Sequence, residues 1–265
     1  MRYVLLLLFG LTVIPPVKAQ QRTDFCSIRN TSFNAGESIT FKVYYNLGKL
    51  FVGAGEATFN CQLEKFAGRD VYHVIGDGKT FRTYDWIFKV RDRYESFIDT
   101  ATMQPLKFLR NVNEGGYKIY NNVVFNQAQH QATSTNGTFS VPPCVQDVIS
   151  AIYYARNIDF SKYNPGDKIP FAMFLDDQVY DIYIRYMGKE EVSTRFGKFR
   201  AIKFKPLLIK GTIFEGGEKM TVWVSDDANK VPLRVDSPIS VGSIKVDMVD
   251  YKNLRYDFTS LLDKR

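Results

Sequence analysis

Apolar and polar residues alternate with a period of two through most of the chain. Residues 38–44, for example, read SITFKVY, with an apolar side chain at every second position. Successive side chains of a strand point to opposite faces of a sheet, so this pattern predicts half-buried strands. The predicted strands are 38–44, 55–63, 71–75, 94–98, 106–110, 117–125, 168–174, 179–187, 199–205, 221–224, 233–235 and 243–251.

The stretch CVQDVISAIYYARNIDF, residues 144–160, departs from this alternation and predicts a helix over 145–158. Apolar residues recur there at the spacing of one helix face. They are Val145, Val148, Ile149 and Ile152, and Tyr153 widens the stripe. Asp147 in the first turn and Arg156 near the end both suit the helix dipole. Cys144 raises the alternative of a catalytic element.

Two motifs recur in the same order at nearly the same offset, which predicts an internal duplication. Asn34-Ala-Gly36-Glu37-Ser-Ile-Thr-Phe matches Asn164-Pro-Gly166-Asp167-Lys-Ile-Pro-Phe. The second motif contains Asp99 and Pro105 in one copy and Asp226 and Pro232 in the other. The predicted units are 33–127 and 163–256, joined by the helix within a single β domain, 20–265.

The four residues of the second motif are interpreted as structural turn residues. An acidic side chain at a strand end can accept hydrogen bonds from turn amides, and proline presets φ where the chain turns back. Proline also lacks an amide for the ladder, so it suits the first residue of a strand. We therefore predict that Asp99, Pro105, Asp226 and Pro232 shape turns and are not catalytic.

The first residues indicate export. Arg2 precedes an apolar run, and Val17-Lys18-Ala19 offers small residues for cleavage, as in a signal peptide over 1–19. The run is too short for a spanning helix, which needs about 20 apolar residues. We predict a periplasmic or extracellular protein of a Gram-negative envelope, not an integral membrane protein. The sequence says nothing of its oligomeric state.

The three cysteines suit an oxidising compartment, where one pair can form a disulfide. Cys61 alternates with apolar residues and is interpreted as a buried strand residue. Cys26 and Cys144 both lie just outside predicted elements, so they are the pair we expect to be bonded if a pair forms.

Charged and metal-ligating residues give little sign of catalysis or nucleic-acid binding. The net charge of +7 is dispersed along strands, without a basic stripe. The two histidines, His73 and His130, lie in a strand and a polar loop, without ligand spacing or a nucleophile motif. We predict no catalytic residue, metal, cofactor or nucleic acid. A glycosidase-type carboxylate pair stays open, because sequence does not give the distance between carboxylates.

Aromatic residues make up 15% of the chain and suit pleated surfaces. One group of them includes Trp86, and another lies around residues 183–199. They are interpreted as core and cross-strand pairs, with an apolar or glycan-stacking cleft as the alternative.

Four segments resemble a bacterial exported family known as domain of unknown function 3108. They are NAGESITFKVYYNLGKLFVGAGEATF, YESFIDTATMQPLKFLRNVNEGGY, CVQDVISAIYYARNIDF and TVWVSDDANKVPLRVDSPISVGSIKVDM. The resemblance implies a fold and a compartment but no mechanism. The strand-Asp-turn-Pro-strand hairpin is also similar to one in periplasmic lipoprotein carriers, whose incomplete barrel holds acyl chains against helices. This chain departs from those carriers in its length and duplication.

We therefore expect a mainly β fold: a strongly curved antiparallel sheet of about twelve strands in two related halves, an incomplete barrel, with one helix on the concave face. The alternative is two β units packed face to face. The expected function is non-enzymatic binding or carrying of a lipid or lipoprotein acyl chain in the concave face. The candidate ligand-binding residues are Ile149, Ile152, Tyr153 and Trp86. The alternatives are a secreted glycan-acting enzyme and an assembly factor that binds another envelope protein.

Overall fold

The computed structural model describes residues 26, 28–48, 50–210, 216–239 and 241–264. The predicted signal peptide, 1–19, lies outside them. Described residues form fifteen strands and one α-helix, α1 (Val148–Ala155). The strands are β1 (Ser38–Leu47), β2 (Leu50–Phe66), β3 (Arg69–Thr80), β4 (Val90–Asp99), β5 (Pro105–Glu114), β6 (Tyr117–Asn126), β7 (Gln131–Ser134), β8 (Gly137–Ser140), β9 (Lys168–Leu175), β10 (Gln178–Ser193), β11 (Gly197–Pro206), β12 (Thr221–Ser225), β13 (Pro232–Pro238), β14 (Ser243–Lys252) and β15 (Leu261–Lys264).

All these strands belong to one antiparallel sheet. Its order is β8-β7-β6-β5-β4-β3-β2-β1-β14-β13-β12-β11-β10-β9, and β15 pairs with β11. The edge strands β8 and β9 are not paired with each other, so the barrel is incomplete. The predicted fold class is confirmed. Pairing of β1 with β14 joins the two halves in one sheet, so the alternative of two separate β units is wrong.

Irregularities in the ladder let the sheet curve. The register shifts at Val43/Tyr44 and between Tyr186 and Lys189, and such bulges bend and twist a strand. At Gly55 the neighbouring strand approaches so closely that a Cβ would lie 2.4 Å from the Lys79 carbonyl oxygen. Only glycine fits there, since any side chain would clash with the backbone.

The sheet has fifteen strands where the sequence predicts about twelve. The additional strands are β7, β8 and β15, each of four residues. Strands this short hold one or two alternations, which is too few for a periodic pattern to stand out from a polar loop.

The helix is shorter than the predicted 145–158. Gln146 pairs in parallel with Met173 of β9: its amide donates to Ala172 and its carbonyl accepts from Phe174, both at 2.9 Å. The chain is therefore extended before α1 begins. Asp147 is the N-cap, and its carboxylate accepts the Ser150 amide at 2.8 Å. In return, the Asp147 amide donates to the Ser150 hydroxyl oxygen at 2.9 Å, which completes a capping box.

The two predicted repeat units begin with the same hydrogen bonds. In the first, the Gly36 amide donates to the Cys61 carbonyl at 2.7 Å; in the second, the Gly166 amide donates to the Tyr186 carbonyl at 2.7 Å. The return bond, from the amide of that strand residue, measures 2.9 Å in both units. These matches support the duplication, which stays a prediction.

A buried ion pair anchors the C-terminal end of α1. The guanidinium of Arg156 donates to both carboxylate oxygens of Glu37, at 2.5 and 2.8 Å, and neither side chain is more than 2% exposed. It also donates to the Asn229 carbonyl and lies 5.3 Å from the ring centroids of Phe33 and Tyr153. One side chain thus connects the start of β1, the helix and the turn before β13.

We expect Arg156→Met to lower the free energy of unfolding by about 3–5 kcal/mol, because it leaves the Glu37 charge buried without a partner. The double variant Glu37→Met/Arg156→Met is expected to be more stable than Arg156→Met alone, since it removes that charge. Urea unfolding followed by circular dichroism measures both. Additive losses in the double variant would contradict the coupling.

Candidate functional site

The concave face of the sheet is filled with side chains. Tyr153, Tyr154 and Phe174 are at most 2% exposed, and they belong to one core with Phe33 and Phe108. Two clefts formed by described residues open on the surface instead. One, of about 260 Å³, is lined by Arg195, Phe196, Val249 and Lys264. The other, of about 400 Å³, is lined by Arg29, Asn30, Tyr72, Thr100 and Ala101.

The structure does not bring the candidate ligand-binding residues together. Ile149 and Tyr153 are 3% and 2% exposed inside the core, and Ile152 packs against it. Trp86 is 83% exposed in the β3–β4 connection. Since the helix residues already contact the sheet, a ligand in the concave face would have to displace them. Their role in ligand binding stays a prediction.

In the first predicted unit, Asp99 is the last residue of β4, and its carboxylate bonds to the turn that follows. The Asp99 carboxylate accepts the amides of Ala101 and Thr102 at 3.0 and 2.9 Å, and it pairs with Arg69 at 3.0 Å. Pro105 is the first residue of β5.

The second unit uses the neighbouring carboxylate for the same task. Asp227, not Asp226, accepts the Asn229 amide at 3.0 Å, whereas Asp226 forms an ion pair with Lys189 at 2.9 Å. Pro232 is the first residue of β13. Two adjacent acidic residues make this difference invisible in the sequence.

Cys26 and Cys144 lie with their Cα atoms 5.2 Å apart and are joined as a disulfide. Cys144 has a φ of 59° just before the extended segment that pairs with β9. The bond attaches the segment before β1 to the entry of the helix. Cys61 is buried in the core, and burial raises the pKa of its thiol to about 12. A thiol in that state is a poor nucleophile.

The histidines have structural surroundings. His73 is 8% exposed, stacks on Phe97 and has its Nε2 atom 2.8 Å from the Glu95 carboxylate. His130 lies in the turn between β6 and β7, where its carbonyl accepts the Val141 amide. Among the described residues there is no cluster of three or more metal-ligating side chains. None of the helices in the described ranges is long and apolar enough to span a bilayer.

One carboxylate pair has a property that the general acid of a glycan-acting enzyme needs, a raised pKa. Asp92 interacts with Glu114 across β4 and β5, and burial, opposed by the Asn113 amide, raises the pKa of Asp92 to about 6. A carboxyl group with a raised pKa can serve as a general acid. Neither of the two surface clefts described above is lined by this pair.

Four neighbouring hairpin tips expose large apolar side chains at one end of the barrel. Because the strands are antiparallel and adjacent in the order β6-β5-β4-β3-β2-β1-β14-β13, these tips lie along one edge. We call the seven exposed residues the apolar rim. They are Leu47 and Phe51 in β1–β2, Trp86, Ile87 and Phe88 in β3–β4, Tyr117 in β5–β6 and Val241 in β13–β14, with exposed fractions from 42% for Phe88 to 83% for Trp86.

Backbone and side-chain contacts hold the four tips together. The Phe81 amide donates to the Ala54 carbonyl at 2.9 Å, and the Gly115 amide donates to the Lys89 carbonyl at 2.8 Å. The Tyr45 hydroxyl donates to the Val241 carbonyl at 3.0 Å. The apolar rim therefore lies on loops that hydrogen bonds connect to one another. The helix and its ion pair lie at the opposite end, with the turn before β13.

The comparisons with known proteins identify the family. The model for the family described as "Protein of unknown function (DUF3108)" matches residues 40–249. The chain belongs to this family. None of the curated proteins matches it.

The solved structures that resemble this member of the family share its fold at low identity. A β-barrel-like protein of domain of unknown function 1849 from Brucella abortus has a TM-score of 0.58 at 8% identity, covering 87% of this chain and 100% of that one. A candidate lipoprotein from Parabacteroides distasonis scores 0.37 at 11% identity, covering 85% and 99%. A candidate exported protein with a YmcC-like fold from Bacteroides fragilis scores 0.32 at 15% identity, covering 86% and 100%. The Brucella structure supports the fold alone.

Thiol titration tests the cysteine pairing. We expect no reactive thiol in the native protein, because Cys61 is buried, one thiol after denaturation, and three after reduction. Three thiols in denatured, unreduced protein purified from an oxidising compartment would show that the bond is absent.

The buried N-cap predicts a pH dependence of stability. Burial raises the pKa of Asp147 from 3.8 to about 6, against the bonds it accepts from Ser96, Ile149 and Ser150. The pKa of Asp147 is higher in the folded protein than in the unfolded chain, so the protonated carboxyl group favours folding. This contribution of Asp147 to the unfolding free energy is complete below about pH 4 and is lost as the pH rises through 6. Relative to Asp147→Asn, the wild-type chain should lose about 3 kcal/mol of unfolding free energy over that range. Urea unfolding of both proteins at several pH values measures this loss. If the unfolding free energies of wild type and Asp147→Asn changed in parallel with pH, the raised pKa of Asp147 would be contradicted.

Proposed function

We propose that the chain is an exported, non-enzymatic protein of the cell envelope that binds an amphiphile, a lipid or a lipoprotein acyl chain, at its apolar rim. The main support for this proposal is the rim itself, where seven large apolar side chains on four connected tips are exposed to solvent. Contiguous exposed apolar surface on a soluble protein usually marks a binding site. The segment resembling a signal peptide and the Cys26–Cys144 bond both support an extracytoplasmic location.

The filled concave face is the reason to place the ligand at the rim. Sequence reasoning places it beneath the helix, as in lipoprotein carriers. The helix, however, is held by a capping box at Asp147, by the disulfide at Cys144 and by the buried ion pair at Arg156. Opening the space beneath it would disrupt all three, whereas the rim needs no rearrangement.

A glycan-acting enzyme is the second candidate, and the Asp92–Glu114 pair is the observation in its favour. An assembly factor that binds an envelope protein would use the same apolar rim as an amphiphile-binding protein. An assembly factor would copurify with a protein and an amphiphile-binding protein with a lipid, so the test must identify the bound molecule.

Native mass spectrometry of protein purified without detergent from its own envelope is expected to show a lipid-sized adduct. Trp86→Ser/Ile87→Ser should reduce the adduct, because it removes the two most exposed rim side chains. The matched control is Leu63→Ser/Leu262→Ser, which removes exposed leucines outside the rim and should retain the adduct.

An adduct that survives in the rim variant would return the ligand to the concave face. A complete absence of adducts from all samples, together with glycan hydrolysis lost in Asp92→Asn, would replace the proposal with the enzyme.

A further inference from the structure

We infer that the apolar rim docks directly onto an anionic lipid bilayer, with the barrel standing on its four hairpin tips. The inference rests on the proposed function and names the source of the amphiphile: a membrane surface. The inference is supported by a row of exposed apolar side chains that has exposed cations beside it.

Three exposed cations lie in or beside the tips of the rim. Arg82 and Lys89 flank Trp86 in the β3–β4 connection, and Lys118 follows Tyr117 at the start of β6. No ion pair is found for these three among the described residues. Cations this close to a bilayer surface are attracted by anionic headgroups.

The carboxylates of the same region already have partners. Asp85 accepts two hydrogen bonds from Arg91, at 3.1 and 2.7 Å, and the Arg91 guanidinium holds its pKa below the ordinary value. Glu56 pairs with Lys79 at 3.5 Å, and Asp92 interacts with Glu114. Two of these carboxylates are thus neutralised by cations, and the Asp92–Glu114 pair carries at most two negative charges, so the three exposed cations leave the tip region positive.

The chemistry of the tips matches a bilayer interface better than a protein groove. Trp86 and Tyr117 are amphipathic aromatics of the kind that settle at headgroup level. Ile87 can reach the acyl region from the most exposed loop, with cations at both ends of that loop to contact phosphates. An apolar face with cations beside it is the pattern of proteins that lie on membranes.

Because the tips are already connected, docking costs little conformational entropy. Hydrogen bonds between Phe81 and Ala54 and between Gly115 and Lys89 already fix the β3–β4 connection against its neighbours. Phe88 packs against Gly115, where a Cβ would lie 2.5 Å from the ring. The surface is preformed, so little ordering accompanies binding.

Trp86 provides its own reporter. The chain has two tryptophans, and Trp223 donates to Glu190 at 2.7 Å outside the rim. In a Trp223→Phe background, all tryptophan fluorescence comes from Trp86. We expect its emission to shift to shorter wavelength and to be quenched by brominated acyl chains when vesicles of phosphatidylcholine with phosphatidylglycerol are added. Pure phosphatidylcholine vesicles should bind more weakly.

Two sets of variants separate the apolar and the electrostatic parts. Arg82→Gln/Lys89→Gln/Lys118→Gln should weaken binding to the anionic vesicles by about 100-fold, since each surface cation contributes about fivefold. The control Lys65→Gln/Lys162→Gln/Lys252→Gln makes the same charge change at the opposite end of the barrel and should bind like wild type. Trp86→Ser/Ile87→Ser should lose binding to both vesicle types.

Matching far-UV circular dichroism and thermal unfolding establish that every variant is folded before it is compared. Wild-type protein that neither sediments with anionic vesicles nor is quenched by brominated lipid overturns the inference. So does a rim that mediates self-association, seen as a concentration-dependent size that Trp86→Ser/Ile87→Ser abolishes. Equal loss of binding in both lysine-containing triple variants would also overturn it, because the attraction would then be nonspecific.

Monomeric lysophosphatidylglycerol, used below its critical micelle concentration, distinguishes this inference from the proposed function. Binding of the monomer without binding of vesicles leaves the proposed function intact and sinks the docking inference. Binding of vesicles without binding of the monomer supports docking and removes the carrier-like form of the proposed function.

Discussion

The buried pair of Glu37 and Arg156 is the interaction on which the arrangement of this molecule depends. Removing two charges from water is costly, and the attraction between them repays that cost only when the geometry and the remaining hydrogen bonds are nearly complete. Here both carboxylate oxygens are engaged, and the Asn229 carbonyl takes a further donor. The pair therefore holds the helix end in one position relative to both halves of the sheet.

This anchoring explains why the interior is a core and not a cavity. With its beginning fixed by the Asp147 capping box and its end by Arg156, α1 places Tyr153 and Tyr154 among the rings of the sheet. The space that a carrier would keep for acyl chains is occupied by the protein itself. The molecule thus has a closed end, built around a charge pair, and an end whose loops expose apolar residues.

The sequence predicts the strands well because the alternation is long and regular, as in β1 and β14. It predicts the helix but not its start, since Val145 fits the apolar stripe while the backbone of the next residue, Gln146, pairs with β9. The ion pair was beyond reach, because Arg156 at a helix end has a sufficient explanation in the dipole and its partner lies 119 positions away.

The site shows the same division between local and distant information. The tips of β1–β2, β3–β4, β5–β6 and β13–β14 become one surface only through the strand order, which the sequence does not contain. A local signal did exist: Trp86-Ile87-Phe88 is an uninterrupted apolar triplet between Asp85 and Lys89, in a connection that periodicity leaves outside any strand. Considered one at a time, however, these three residues are equally typical of side chains that pair in a protein core.

Pairing of β1 with β14 also sets the order in which the molecule can mature. Ser38 lies opposite Lys252, so β1 can pair with β14 only after a further 214 residues (252 − 38) have been synthesised. Until then one edge of β1 is an open template for any passing strand. Contacts so distant in sequence slow folding. The pairing that joins the two halves of the sheet therefore forms late, and the edge it covers is exposed until then.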